Sequence, residues 1–189
     1  MGTRRVLPFA FALLMGVSAL AQGPTYGVGR TPSAEEIRAL DISIGPTGAE
    51  LPPGRGTARD GAQLYVQKGC AGCHGKTGTE GTAPNLVGKA DPNADVWARG
   101  RILPIRSPFA TTVWDYINRA MPLGREGTLT PDEVYALTAF LLYKNDVIKS
   151  EDEVMDAQTL PKVKMPIGNR FASLPEWKPR TRRLQGYPY

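Results

Sequence analysis

The 189 residues are 41% hydrophobic and 22% charged, the composition of an ordinary soluble protein with material for one modest core. With 21 glycines and 17 prolines, much of the chain must be loop, because both residues are poor in the interiors of helices and strands. A formal charge of +5, or +3 without the first 21 residues, is too close to balance for a nucleic-acid binder.

Residues 1–21 read as an export signal: Arg4 and Arg5 precede an uncharged apolar run from Val6 to Leu20, and Ala19-Leu20-Ala21 is a small-x-small cleavage site. That run is shorter than the ~20 residues a membrane span needs, so cleavage after Ala21 and a periplasmic protein without a stable membrane anchor are expected. The Arg4-Arg5 pair also resembles a twin-arginine signal, which leaves the export route open. Residues 22–56 form an N-terminal extension, in which Ser33-Ala34-Glu35-Glu36 marks the start of a short helix between Pro/Gly-rich stretches.

Thr57 is a plausible helix cap for the segment TARDGAQLYVQKGCAGCH, with apolar positions at Ala62, Leu64, Tyr65, Val66 and Gly69. Its end holds both cysteines and the one histidine of the chain, Cys70, Cys73 and His74. A disulfide across so small a loop gives little stabilisation. A thioredoxin-like pair requires a strand-helix-strand context that is missing here. Structural zinc requires four ligands, and only three are present, with His74 directly after Cys73. Covalent c-type haem attachment accounts for all three residues: the thiols add to the two vinyl groups and the adjacent imidazole becomes the proximal iron ligand.

One histidine leaves Met, Lys, water or nothing for the opposite face of the iron. Beyond the signal, the methionines are Met121, Met155 and Met165. The apolar stripe of Thr111 to Ala120 predicts a helix that stops at Met121-Pro122, since a residue before proline is pushed out of the helical region. Met121 then sits on an extended turn, free to aim its sulfur away from the helix. Met165 also precedes a proline and competes with it; Met155 follows an acidic run and reads as surface or gap-filling. The next segment opens with Thr130 as cap, Pro131 at the first helical position and Glu133 three residues after the cap. The helix that follows should be nearly all buried and cross the first where Gly61 or Ala62 allows close approach. No strand pattern persists, so an all-α domain is expected.

The ordered set CAGCH, TAPNLVG, RAMPLG and LTPDEVYALTAFLLYKN resembles the class I monohaem cytochromes c over roughly residues 57–146. The resemblance implies short helices around one covalently bound haem c; outside it, residues 22–56 and 147–189 read as long irregular extensions. It implies that the Pro84 carbonyl accepts from His74 Nδ1–H, that Leu86 packs on the haem, and that Met121 is the second axial ligand. Iron with both axial positions filled, and no histidine to spare for acid–base work, implies an electron carrier with no catalytic residue of its own.

The flanks carry Ile37, Leu40, Ile42, Ile44, Val163, Ile167, Phe171, Leu174 and Trp177, too many apolar residues for a freely solvated chain. They are expected to wrap the domain or lie along a partner. With these flanks included, the chain is similar to the cytochrome c subunits of periplasmic molybdenum sulfite or sulfane dehydrogenases, the SoxD and SorB type. That similarity implies a partner subunit holding a molybdenum cofactor and a downstream cytochrome or oxidase. A free shuttle to a terminal oxidase, or a haem enzyme or sensor with an open iron site, are the alternatives. Residues 90–108 match poorly, which leaves Trp97, Arg101 and Arg106 open as partners of the haem propionates.

Overall fold

The computed structural model describes residues 27–89 and 102–168, and the chain divides into one unit up to Asp41 and a second from Ile42 onward. Within the first unit, α1 (Ala34–Leu40) starts at Ser33 with a capping box closed by Glu36, as the sequence predicts. Arg30 pairs with Glu36 and holds its carboxyl down at about 2. Within this unit Ile37 and Leu40 are not covered by the helix itself.

In the second unit, β1 (Arg55–Gly56) leads into α2 (Ala58–Gln67), α3 (Cys70–His74), α4 (Leu103–Arg106), α5 (Ala110–Ala120) and α6 (Pro131–Lys144). A short strand β2 (Met155–Asp156) then pairs antiparallel with β1, and a single 3-10 turn covers Leu160–Lys162. The fold is mostly helical, and the expectation of no strands is corrected by this two-residue ladder. Its segments are too short for a sequence alternation to register.

Helices α2 and α6 begin as predicted. The Thr57 hydroxyl accepts from the Asp60 amide and the Thr130 hydroxyl from the Glu133 amide, each answered by the carboxylate reaching back to the cap amide. On α2 the buried face is Ala58, Gly61 and Tyr65, spaced three and four apart; Ala62 and Val66, expected to be apolar contacts, point outward. Close approach to α6 is at Gly61. A methyl group there would run into the Ala136 carbonyl and come within 2.6 Å of the Phe140 Cβ. Gly56 presses on the same Ala136 from β1, so two glycines seat the chain before and within α2 against one turn of α6.

The core gathers Trp114, Val113 and Ile117 of α5 with Val134, Tyr135, Leu141 and Leu142 of α6. It continues beyond residue 146, taking in Ile148, Met155, Leu160 and Met165, with Ile44, Val163 and Ile167 packed against it. Met155, read from its acidic neighbours as surface, is 1% exposed, because pairing with β1 turns its side chain into the core. Ile42 is exposed, and Phe171, Leu174 and Trp177 lie outside the described residues.

Candidate functional site

The segment carrying Cys70, Cys73 and His74 is not one helix with α2. Gly69 adopts φ 83°, ψ 11°, a left-handed conformation that ends α2 and re-aims the chain, and α3 restarts at Cys70. This break places Cys70 partly buried against the core and leaves Cys73 exposed, both as free thiols. Burial pushes the Cys70 thiol up, with the charge of Arg125 opposing.

His74 closes α3, and its Nδ1 lies 2.8 Å from the Pro84 carbonyl oxygen. A carbonyl can only accept, so Nδ1 carries the proton and Nε2 keeps its lone pair free for a metal. The loop between them folds back by short bonds: the Ala83 amide donates to the Cys73 carbonyl at 2.9 Å and the Leu86 amide to the Gly78 carbonyl at 2.8 Å. Gly81 passes so close to the Cys73 carbonyl that a methyl group would overlap it. Tyr65 of α2 donates its hydroxyl to the Gly75 carbonyl at 2.9 Å, anchoring the exit from α3.

Met121 follows α5 with φ −128° and ψ 150°, the extended turn expected from its proline neighbour. The next residues return to the cysteine segment: Arg125 donates to the Lys68 carbonyl at 3.4 Å, and Lys68 pairs with Glu133 of α6 at 2.6 Å. Leu64, Cys70, Ala71, Leu86, Met121 and Phe140 are all half-buried, packed against the core yet not enclosed by it. Met165, the competing methionine, is 6% exposed within the core.

The residues present fit a haem c. Two free thiols flank two residues, one imidazole has its proton fixed on the nitrogen that faces Pro84, and Leu86 and Met121 are apolar side chains that the core only half covers. Arg106, one candidate for the propionates, is exposed at the end of α4, a helix the sequence reading did not place; Trp97 and Arg101 lie outside the described residues.

The sequence reading passed over Asn145. At the end of α6 this buried side chain holds the stretch after Pro84: Nδ2 donates to the Leu86 carbonyl at 2.9 Å and Oδ1 accepts from the Gly88 amide at 3.0 Å. An asparagine after a helix reads as a terminator, and that reading hides any second use.

A family model described as Cytochrome c matches residues 58–144. Among solved structures, the chain is similar to one described as the sulfane dehydrogenase SoxCD from Paracoccus pantotrophus, with 35% identity and a TM-score of 0.65 over 78% of this chain and 72% of that chain. No curated protein matches.

Proposed function

The chain belongs to the cytochrome c family and carries covalently bound haem c, and from that premise we propose that it is the electron-carrying subunit of a periplasmic sulfur-compound dehydrogenase, its iron held by His74 and Met121. The observation that carries the reading is the 2.8 Å bond from His74 Nδ1–H to the Pro84 carbonyl, beside the paired thiols of Cys70 and Cys73. Haem c in this position supplies a one-electron iron couple.

The residues divide the work. Cys70 and Cys73 hold the ring through thioethers. The Pro84 carbonyl fixes the tautomer of His74 and makes Nε2 a stronger donor. Leu86 presents a half-buried apolar side chain next to that carbonyl. Met121 is favoured over Met155 and Met165 because those two are spent in core packing, at 1% and 6% exposed, whereas Met121 is half-buried on extended backbone. With His74 and Met121 as its ligands, the iron would have a higher potential than with two imidazoles.

The similarity to the SoxCD structure supports a partner with a molybdenum cofactor. It spans 78% of this chain, more than residues 58–144 alone, so the flanks share in it. In this assignment residues 1–21 direct export and electrons pass from the molybdenum subunit to this chain, then to a downstream cytochrome or oxidase. Purification of the native protein under mild conditions tests it: a molybdenum-containing chain should co-elute, and sulfite or a sulfane compound should reduce the haem only when that chain is present. A cytochrome that elutes alone, with no molybdenum in any associated fraction, overturns the partner assignment.

A further inference from the structure

We propose that Asn145 is a positioning residue for the His74 imidazole, its carboxamide clamping the Pro84–Gly88 stretch to α6 and so setting the strength of the His74–Pro84 hydrogen bond. The proposal rests on the reading of His74 as the proximal ligand. Three bonds carry it: Asn145 Nδ2 donates to the Leu86 carbonyl at 2.9 Å and to the Leu141 carbonyl at 2.8 Å, and Oδ1 accepts from the Gly88 amide at 3.0 Å. Only one orientation of the amide serves all three. Reversed, it would set Oδ1 against two carbonyl oxygens and its NH₂ against an N–H. The side chain is 8% exposed, so an unmade bond here would leave a buried polar group without water to replace it.

The clamp acts on an otherwise poorly anchored carbonyl. Pro84 has no N–H of its own, and the neighbouring bonds, from the Ala83, Leu86 and Val87 amides, run to Cys73 of α3 and to Gly78 just after it, the same segment that carries His74. Among the described residues, Asn145 is the hydrogen-bonding link from this stretch to α6. The donor His74 is referred to α6 through α2, by way of Gly61 on Ala136; the acceptor is referred to α6 through Asn145. One helix thereby fixes both ends of the bond.

Helix termination does not need this side chain. Asp146 takes φ 58°, the Asp146 amide donates to the Tyr143 carbonyl at 3.0 Å and the Val147 amide to the Leu142 carbonyl at 2.9 Å, a Schellman ending made entirely of backbone. The two bonds of Asn145 to residues 86 and 88 are additional to it.

The test uses the holoprotein with ¹⁵N-labelled histidine, following solvent exchange of the His74 Nδ1 proton in the reduced state together with the reduction potential. In Asn145→Ala the exchange should quicken by about ten-fold, the worth of one hydrogen bond. The potential should rise, because a less basic imidazole favours oxidised iron less. Asn145→Leu, which refills the volume and removes only the hydrogen bonds, should shift both in the same direction if the alanine variant fails to fold. Thr130→Ala loosens the opposite end of α6 and should lower stability without moving either readout. The proposal is overturned if a folded Asn145 variant keeps the wild-type exchange rate and potential, or if Thr130→Ala moves them as far. A wild-type protein with no protected Nδ1 proton overturns the His74–Pro84 reading itself, a result distinct from a protected proton that ignores residue 145.

Discussion

The Nδ1–H of His74 donates to the backbone carbonyl of Pro84 at 2.8 Å, ten residues further along the chain. Because the acceptor is backbone, no side-chain substitution deletes it directly; it is reached through the loop that presents it. Gly81 is the tight point, where a Cβ would overlap the Cys73 carbonyl. Gly81→Ala should therefore cost about 1–3 kcal/mol through overpacking and move the reduction potential with it. Denaturant unfolding and a spectroelectrochemical titration check the two effects; a stable variant with an altered potential, or the reverse, separates packing from ligand tuning.

The three methionines should respond in opposite ways. Met155 and Met165 lie in the core, and alanine at either should cost about 2–5 kcal/mol of stability while the haem spectrum stays the same. Met121→Ala should change the spectrum and lower the potential with a smaller packing loss. Parallel thermal melts and absorption spectra of the oxidised proteins distinguish the sets.

At the α2–α6 crossing, Gly61→Ala should destabilise by about 1–3 kcal/mol, since the added methyl meets the Ala136 backbone. Ala62, one residue on, faces solvent; Ala62→Gly should cost only about 0.5–1 kcal/mol, the intrinsic penalty of glycine in a helix. Chemical denaturation of the two variants side by side measures the difference.

Burial pushes the Tyr65 and Tyr135 phenols up to about 12, with nearby Glu80 adding for Tyr65 and Asp156 for Tyr135. A raised pKa means the fold favours the neutral phenol. Its contribution is complete below the ordinary value of about 10 and is lost as pH climbs through the folded value. Unfolding free energy should thus fall between roughly pH 10 and 12. The Tyr65→Phe, Tyr135→Phe double variant should have a flatter alkaline limb, and at neutral pH should lose about 0.5–1.5 kcal/mol for each hydroxyl bond, to the Gly75 and Pro52 carbonyls. Stability measured at stepped pH tests this; a wild-type limb as flat as the variant's contradicts it.

Local signals carried the sequence reading where they were strong. Ser33, Thr57 and Thr130 start helices by side-chain bonds a few residues away, and the end of α5 at Met121 follows from the proline beside it. The pairing of Cys70 and Cys73 as a haem-attachment motif was equally plain, because the chain has no other cysteines. What escaped depends on contacts distant in sequence. The burial of Met155 is decided by pairing with Gly56, about one hundred residues earlier, and the choice of Gly61 over Ala62 by the Ala136 backbone. The break at Gly69 turns on a backbone angle that an apolar pattern does not encode. Asn145 was missed for the same reason: both its partners at Leu86 and Gly88 lie more than fifty residues away.

The ligand assignment at the centre of the account is tested most directly by NMR of the reduced holoprotein with methionine methyl groups labelled in ¹³C. An axial methionine lies in the ring current of the haem, so one methyl resonance, that of Met121, should be displaced far upfield and be absent from Met121→Ala, while those of Met155 and Met165 stay near ordinary positions. A spectrum with no displaced methyl, or one whose displaced methyl survives in Met121→Ala, would contradict it.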